Sequence, residues 1–379
     1  MDLITTPIPS DTPGSSFALQ YYRFGTAGQG QKIYMQAGLH ADEQPGMLIL
    51  HHLLPMLEKA ETEGRLRGEV VVMPMVNPLG MAHLQFHTHR GRYHPVNGLN
   101  YNRRWLDLDD ALFAHSGDLS TKLGQDAEAN RALVLSLLRE WHQSSTPVTA
   151  LDHLRHAVTA EAMDADMVLD LHCDDEALNH LFVVPQLMPD YQDLADWIGS
   201  VATLTAEDSG GGSFDEVWPG LWIKLARRYP DAAWPALPFA ATLEYRGQPD
   251  VQDAINRKDA ENLYGFLVGR GVIDDQVETP PAAPAALPLN ATDIVRVQKP
   301  GLIAYRVALG DVVKKGDVIA DLIALDGDQF ARQRSPIRAG TDGLVFSLNQ
   351  MKYVRPGTSI AKIAGQEPLA SRQGYLLED

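Results

Sequence analysis

One segment rich in proline and alanine divides the chain into two parts of different character. Residues 278–289, with the sequence ETPPAAPAALPL, carry proline and alanine where the neighbouring sequence has charged and β-branched residues. Proline favours extended backbone, so this composition is typical of a linker. Strand-like runs alternate with helical patterns before it, and short β-rich runs separated by glycine follow it. We predict an α/β domain over residues 1–277, a linker over 278–289 and a β-rich domain over 290–379.

The alternating pattern before the linker predicts a central sheet covered by helices. Strands are predicted at residues 32–36, 69–74, 167–171, 181–185 and 239–244, and helices at residues 44–59, 126–142, 191–201 and 250–272. Several of the strands are apolar on both faces, as in sheets that pack against helices on both sides. The predicted fold class is therefore α/β, with a mixed central sheet flanked by helices.

The part after the linker contains two copies of one short unit. Residues 299–322 and 341–363 each place Gly-Leu before a short strand, then a turn, and then valine and glycine before a further strand. Such pairs resemble the halves of the barrel-sandwich domains that carry lipoyl or biotinyl groups. A carrier needs a lysine at the hairpin between the halves, but residues 323–337 contain none and Lys352 lies inside the second copy. We predict a small all-β, barrel-sandwich-like domain with a structural or gating role, and carriage of a prosthetic group is the alternative.

The composition of the chain excludes several classes of partner. It has 32 Lys and Arg against 49 Asp and Glu, a formal net charge of −17 that repels nucleic acid. The single cysteine, Cys173, excludes a scaffold built on internal disulfides. The most apolar window, 47–57, is shorter than the roughly 20 residues of a membrane span, and residues 1–14 lack the basic start of a signal peptide. We predict a cytoplasmic protein that binds neither nucleic acid nor membranes, and a homo-oligomer is left open.

The sequence GLHADEQPG, at residues 38–46, lies where an apolar strand gives way to a helix. His40 and Glu43 are three positions apart, so both side chains can face one point on a first helical turn. An imidazole and a carboxylate are two of the three protein ligands that zinc takes at a catalytic site. A plain helix start, with Asp42 or Glu43 next to the positive end of the dipole and His40 in solvent, explains the motif equally well.

A third ligand is expected from the end of a distant strand, and His172 lies 129 residues after Glu43. The buried-strand pattern at 167–171 places His172 at the sheet edge where active sites of α/β folds collect. Asp170 lies on the same strand face and can orient the imidazole, whereas Cys173 is predicted to point into the core. A hydrogen-bonded histidine that caps a strand is the alternative.

Two further segments contain candidate site residues. Residues 91–105, GRYHPVNGLNYNRRW, concentrate arginine and asparagine in an acidic chain, which suggests a site for an anionic substrate group. A solvated basic loop is the alternative. The strand at 239–244 ends on Glu244, which could take a proton from water and pass it to a leaving amine. An exposed glutamate paired to Arg246 is the alternative for that strand end. Asp215 and Glu216 are the next candidates for the base.

Two other motifs give weaker evidence of a functional site. The pair His87 and His89 could bind a metal if its loop closed, but no carboxylate or cysteine pair lies beside it in the sequence. The glycines at 210–212 lack the following Lys-Ser or Lys-Thr of a phosphate loop and are interpreted as a turn near the pocket.

Taken in order, these motifs resemble the zinc carboxypeptidase superfamily, and within it the succinylglutamate desuccinylase and aspartoacylase branch. Residues 38–46 are similar to that branch's Gly-x-His-Gly-Asp-Glu-x-x-Gly, with Ala41 in place of a glycine. Asn77-Pro78 matches its Asn-Pro after the second strand, and residues 92–103 are similar to its Arg-Phe-x-Pro-x-Asp-Gly-x-Asp-Leu-Asn-Arg, with the same ten-residue interval from Arg92 to Asn102. Residues 242–244 resemble the strand that bears its general base. The resemblance covers residues 30–275, and bacterial members also carry a β-rich C-terminal domain.

The resemblance implies a role for each matched residue. His40, Glu43 and His172 would bind one Zn²⁺ per chain, and Glu244 would be the general base. Arg92 would polarise the scissile carbonyl. Asn102 and Arg103 would hold a substrate carboxylate.

The implied activity is zinc-dependent hydrolysis of the amide bond of a small N-acyl amino acid by the domain at 1–277. Trp105 and the pair Tyr245-Arg246 depart from the family pattern, which leaves the acyl group and the amino acid open. A zinc carboxypeptidase acting on peptides is the first alternative, and a non-catalytic metal- or ligand-binding scaffold is the second. Glu244 argues against the scaffold, because binding alone needs no base beside a metal.

Overall fold

The computed structural model describes residues 1–325, 330 and 333–377. The strands in its first part are β1 (Asp2–Pro9), β2 (Ser16–Phe24), β3 (Lys32–Ala37), β4 (Glu69–Met73), β5 (Leu84–Gln85), β6 (Thr88–His89), β7 (Met167–Asp174), β8 (Glu176–Ala177), β9 (His180–Val183), β10 (Ala202–Thr205), β11 (Phe239–Gly247) and β12 (Leu287–Pro288). The helices are α1 (Pro45–Thr62), α2 (Pro78–Met81), α3 (Leu108–Ser116), α4 (Ala127–Ser144), α5 (Ala150–Ala162), α6 (Met188–Ile198), α7 (Phe214–Arg228) and α8 (Asp253–Gly269).

The central sheet of the described residues has nine strands in the order β1-β2-β4-β3-β7-β11-β9-β10-β12. Strands β4, β3, β7 and β11 run parallel, while β2 is antiparallel to β4 and β9 is antiparallel to β11. Neighbouring residues of one strand face opposite cores, since Met35 packs with α1 and α8 and Tyr34 packs with α4, α5 and α7. The predicted mixed sheet flanked by helices is confirmed.

The predicted elements match the central strands and their helices to within a few residues. The hairpin β1–β2, strand β10 and helices α3, α5 and α7 were not predicted. Strand β7 continues to Asp174, three residues beyond its predicted end, so His172 lies within the strand and not after it. The parallel register places His172 beside Glu244 of β11.

The second part consists of short antiparallel strands. They are β13 (Thr292–Arg296), β14 (Gly301–Tyr305), β15 (Val312–Val313), β16 (Val318–Ile323), β17 (Arg334–Arg338), β18 (Gly343–Leu348), β19 (Tyr353–Val354) and β20 (Ser359–Ala364). Strands β14, β15 and β16 correspond in order, and in length to within one residue, to β18, β19 and β20, as the sequence repeat predicts. The two copies exchange pairs, β14 with β19 and β15 with β18. Part of the segment that joins the copies lies outside the described residues.

The two parts of the chain are in direct contact. Strand β12, at the end of the predicted linker, pairs with β10 as the last strand of the central sheet, and β8 pairs with β18. Leu204 of β10 shares a hydrophobic cluster with Leu289, Phe346 and Ala364. The division into domains at 277 and 289 stays a prediction, but these contacts fix the second part against the end of the sheet where β7 and β11 terminate.

Candidate active site

A cleft opens beyond the carboxyl ends of β3, β7 and β11, where ligands bind in open α/β sheets. The empty space of the cleft, including open solvent at its mouth, is about 740 Å³. Every residue to which the family resemblance gives a role lines it: His40, Glu43, Arg92, Asn102, Arg103, His172 and Glu244. Strands β3 and β11 lie on either side of β7, which brings together side chains that are far apart in the chain.

Two histidines and one glutamate converge at the base of the cleft. His40 and Glu43 lie in the turn between β3 and α1, which the chain enters through Gly38 at a φ of +73°. The Nδ1 atom of His40 is 2.9 Å from Oε1 of Glu43, and the Nδ1 atom of His172 is 2.7 Å from Oε2. The three side chains are buried and their ligand atoms lie within 4.8 Å of one another. This donor set matches a catalytic zinc site that keeps one position open.

The outer nitrogens of both rings have fixed partners. The Nε2 atom of His40 donates to Oδ1 of Asn100 at 2.7 Å, and the Nε2 atom of His172 donates to Oδ2 of Asp170 at 2.8 Å. Gln36 in turn donates to Asp170 at 2.9 Å. These acceptors hold a ring proton on each Nε2, so each Nδ1 atom faces the carboxylate between them and is the nitrogen that can ligate a metal. The three side chains therefore fit a divalent metal ion.

The charges around the group support the same fit. Burial and the nearby Arg92 lower the pKa of His40 to about 4, so this ring is the neutral species that ligates metals. Burial opposes a charge on His172, but Asp170 and Glu43 raise its pKa well above the usual value. The two carboxylates thus attract a positive charge to this place, and a metal cation can take the place of that proton.

Arg92 lies between the candidate metal group and the open cleft. Its Nη1 atom donates to Oε1 of Glu43 at 2.8 Å and lies 3.2 Å from Nδ1 of His40. The side chain keeps 30% of its surface exposed. The guanidinium is therefore placed to donate to a carbonyl oxygen that approaches the histidines.

Glu244 lies on the opposite side of His172 from His40. Its Oε2 atom is buried and accepts no hydrogen bond from any described residue. Burial, together with the carboxylate of Glu43, raises the pKa of Glu244 to about 8. The alternative of a surface pair with Arg246 does not hold, because a bulge after Glu244 turns Arg246 to a φ of +59° and Arg246 pairs with Asp259.

Asn102 and Arg103 form one wall of the cleft. The amide N–H of Phe214 donates to Oδ1 of Asn102 at 2.8 Å, which leaves the Nδ2 group as the donor end of this side chain. Arg103 donates through Nη1 to the carbonyl of Asn102 at 2.8 Å and through Nε to the hydroxyl of Tyr375 at 3.0 Å. These contacts hold the guanidinium in position at the wall.

The end of the predicted linker and the part after it complete the cleft with residues for which the sequence predicted no role. Leu289, Lys362 and Leu377 line it, and Lys362 donates to Oδ2 of Asp174 at 2.6 Å. No local pattern marks these residues, because their place depends on how the second part packs against the sheet. Asn100, which holds His40, was visible only as one of several asparagines in the basic loop.

The remaining motifs do not form comparable sites. In the ranges that the structure describes, His87 and His89 belong to no group with metal-ligand spacing, and His89 lies 3.1 Å from the carbonyl of Gly80. Lys352, the alternative attachment residue, bonds to Glu176 and to the carbonyl of Asn349. None of the described helices combines the length and the apolar character needed to cross a membrane.

Comparison with known proteins places this cleft in context. Residues 29–205 match the family model described as the succinylglutamate desuccinylase/aspartoacylase catalytic domain. A curated relative, the N-alpha-acetyl-L-2,4-diaminobutyric acid deacetylase of Halomonas elongata, is 24% identical over 347 residues, which cover 89% of this chain and 83% of the relative.

Solved structures share the architecture over almost the whole chain. The crystal structure of a protein from Shewanella amazonensis, assigned to the same family, superposes with a TM-score of 0.80 at 26% identity and covers 96% of this chain and 98% of that chain. A second crystal structure, of a protein from Shewanella frigidimarina, superposes with a TM-score of 0.79 at 24% identity. It covers 96% of this chain and 97% of that chain and shows that the fold is similar. Both matches extend past the linker, so they include the β-rich part.

Proposed function

We propose that this chain, whose residues 29–205 belong to the succinylglutamate desuccinylase/aspartoacylase family, is a zinc-dependent hydrolase that cleaves the amide bond of a small N-acyl amino acid. One observation carries the proposal. The same cleft holds a two-histidine, one-glutamate group and, beside it, a buried oxygen of Glu244 without a partner among the described residues. A scaffold that only binds a metal needs no such carboxylate.

The proposed chemistry is hydrolysis of an amide by water. His40, Glu43 and His172 would hold one zinc ion per chain, and this ion would supply a water molecule with its pKa lowered toward about 7 and a polarised substrate carbonyl. Glu244 takes a proton from the water as its oxygen attacks the carbonyl carbon, and delivers that proton to the amide nitrogen as the C–N bond breaks. Arg92 donates to the carbonyl oxygen and stabilises the negative charge that develops there. The products are a free carboxylate and a free amine.

The wall formed by Asn102 and Arg103 supports the choice of substrate. A guanidinium presents two parallel N–H groups that match a carboxylate, and the Asn102 amide adds a neutral donor beside it. An N-acyl amino acid has its free carboxylate two bonds from the amide nitrogen. We therefore propose that Arg103 binds this carboxylate while the amide lies between Arg92 and Glu244.

The closest alternative is a carboxypeptidase that trims peptides, because it uses the same catalytic groups. Lys362 and Leu377 of the second part line the cleft, and walls supplied by that part would favour small substrates over long ones. Cytoplasmic location and the possibility of a homo-oligomer remain predictions.

A metal analysis combined with a substrate panel tests the proposal. Elemental analysis of the purified protein should give about one zinc per chain. The zinc-loaded enzyme should hydrolyse N-acetyl or N-succinyl amino acids faster than peptides of several residues. A clear preference for the peptides would support the carboxypeptidase alternative, and absence of hydrolysis across the panel would contradict the proposed activity.

Replacing Arg103 with lysine should weaken recognition of the substrate carboxylate. Lysine keeps the charge but loses the two parallel donors. We expect kcat/KM for an N-acyl amino acid to fall roughly tenfold to a hundredfold, which corresponds to about 1.5 to 3 kcal/mol for a charge-assisted hydrogen bond. Steady-state kinetics on the acid and on its uncharged amide measure the effect.

The matched control is Arg104→Lys, at the exposed neighbouring arginine that does not line the cleft. It should leave kcat/KM within about twofold of the parent value, since exposed side chains that do not contact a ligand contribute little to binding. If the parent enzyme hydrolysed the N-acyl amino acid and its uncharged amide equally well, Arg103 would not recognise the substrate carboxylate.

A further inference from the structure

We infer that Ser209, Asp215 and Glu216 form a subsite for an ammonium group, so that the preferred N-acyl amino acid carries a positively charged side chain. This inference rests on the proposed function and names the substrate class within it. The three residues line the same cleft as Arg103 and Glu244.

The subsite adjoins the proposed carboxylate site. The loop that carries Ser209 packs against Arg103, since a side-chain carbon added at Gly211 would lie 2.8 Å from Cδ of Arg103. The loop is also tied to the backbone beside that arginine, where the N–H of Arg104 donates to the carbonyl of Gly211 at 2.9 Å. An amino acid held by its carboxylate at Arg103 therefore extends its side chain along this loop.

The two carboxylates are consecutive in the first turn of α7, and both line the cleft. Asp215 is 6% exposed and accepts from the hydroxyl of Ser213 at 2.7 Å, while Glu216 accepts from the backbone N–H of Ser209 at 2.9 Å. None of the ion pairs found between described residues involves either acid. Burial and the charge of Asp215 raise the pKa of Glu216 to about 7, and burial also raises the pKa of Asp215. A bound cation would relieve the repulsion between them.

Acidic residues in a first helical turn often only complement the helix dipole. Ser209 gives a second and independent indication of a ligand. It is 1% exposed, and its Oγ atom has no hydrogen-bond partner among the described residues. Buried hydroxyl groups are normally paired. With the two carboxylates, it supplies three acceptors, which is the number that the three N–H groups of an ammonium ion require.

The walls next to the subsite suit an aliphatic chain. Leu204 and Ala206, on β10 and just after it, line the same cleft. Methylene groups can lie against them while the charged end reaches the acids. An acidic side chain would instead bring a third negative charge to Asp215 and Glu216, which is unfavourable.

The test compares substrates that differ only in the end of the side chain. The zinc-loaded enzyme is assayed with Nα-acetyl diamino acids of one to four side-chain methylenes, and with partners in which a methyl group replaces the ammonium. We expect at least one diamino acid to exceed its partner in kcat/KM by at least tenfold. Glu216→Gln and Asp215→Asn should each reduce that ratio at least tenfold. The matched control, Glu207→Gln, changes an acid of the preceding loop that pairs with Arg227 outside the cleft, and should leave the ratio unchanged.

Binding of the product provides a readout that does not require turnover. Calorimetry should show that the free diamino acid binds the zinc-loaded protein at least tenfold more tightly than its methyl partner, and that Glu216→Gln removes the difference. Equal kcat/KM and equal binding for charged and methyl partners would overturn the subsite and leave the proposed hydrolase intact. If no acyl amino acid is hydrolysed, the proposed function fails, and the binding comparison alone decides the subsite.

Discussion

Glu244→Gln should lower turnover by at least about a hundredfold without changing the metal content or the fold, because a positioned general base contributes about 10² to 10⁴ to the rate. Glutamine has nearly the same volume but cannot accept the proton. The Oε2 atom of Glu244 receives no hydrogen bond from described residues, so the replacement breaks no structural contact of that atom. Measurement of kcat on an N-acyl amino acid, together with zinc content and melting temperature, separates the loss of a base from misfolding.

Glu128→Gln, on the exposed surface of α4, provides the matched control and should have the activity of the parent. Near-normal turnover by Glu244→Gln would move the base to another carboxylate. Asp215 and Glu216 are then the candidates, because both line the cleft. That result would also count against the proposed ammonium subsite, since one carboxylate cannot bind a cation and accept the proton in the same step.

The sequence predicted the candidate metal group and Glu244 at one edge of the sheet because parallel strands bring their carboxyl ends there. His40 follows β3, His172 lies in β7 and Glu244 lies in β11, and these three strands are neighbours. The apolar pattern identified each strand on its own. That these side chains share one site was implied only by the family resemblance, and the structure brings them to one cleft.

The sequence could not predict the part of the cleft that the second part of the chain supplies. The contact depends on β8, a strand of two residues that pairs with β18 and is too short to show any periodicity. Lys362 and Leu377 reach the cleft only because this pairing and the cluster around Phe346 fix the two parts together. A long-range contact of this kind leaves no local signal.

Two elements were missed for local reasons. Helix α7 contains Pro219 and Gly220, which normally argue against a helix interior, yet tertiary packing of its Phe214 and Trp218 keeps it helical. The strand β1 holds two prolines, and it is tolerated as a strand because it lies at the edge of the sheet. In both cases packing in the folded chain overrides the local preference of the sequence.

The acids of α7 show what burial adds to a sequence motif. Asp215 and Glu216 follow a serine and begin a helix, which is the usual position for acidic residues. The sequence could therefore offer them only as substitutes for the base. The structure shows that they line the cleft beside a buried hydroxyl, and this changes the chemistry they suggest from proton transfer to recognition of a cation.

His172→Ala should remove most of the bound zinc and, with it, nearly all activity. The variant deletes one of three donors and leaves Asp170 without its imidazole partner. Loss of an outer partner alone lowers metal affinity by about 10- to 100-fold, so loss of a ligand should exceed a hundredfold. Elemental analysis after dialysis against metal-free buffer measures the change, with His51→Ala, at an exposed histidine of α1, as the control that keeps about one zinc per chain. Full zinc occupancy in His172→Ala would show that the metal is held elsewhere, and the roles proposed for Glu244 and Arg92 beside it would lose their basis.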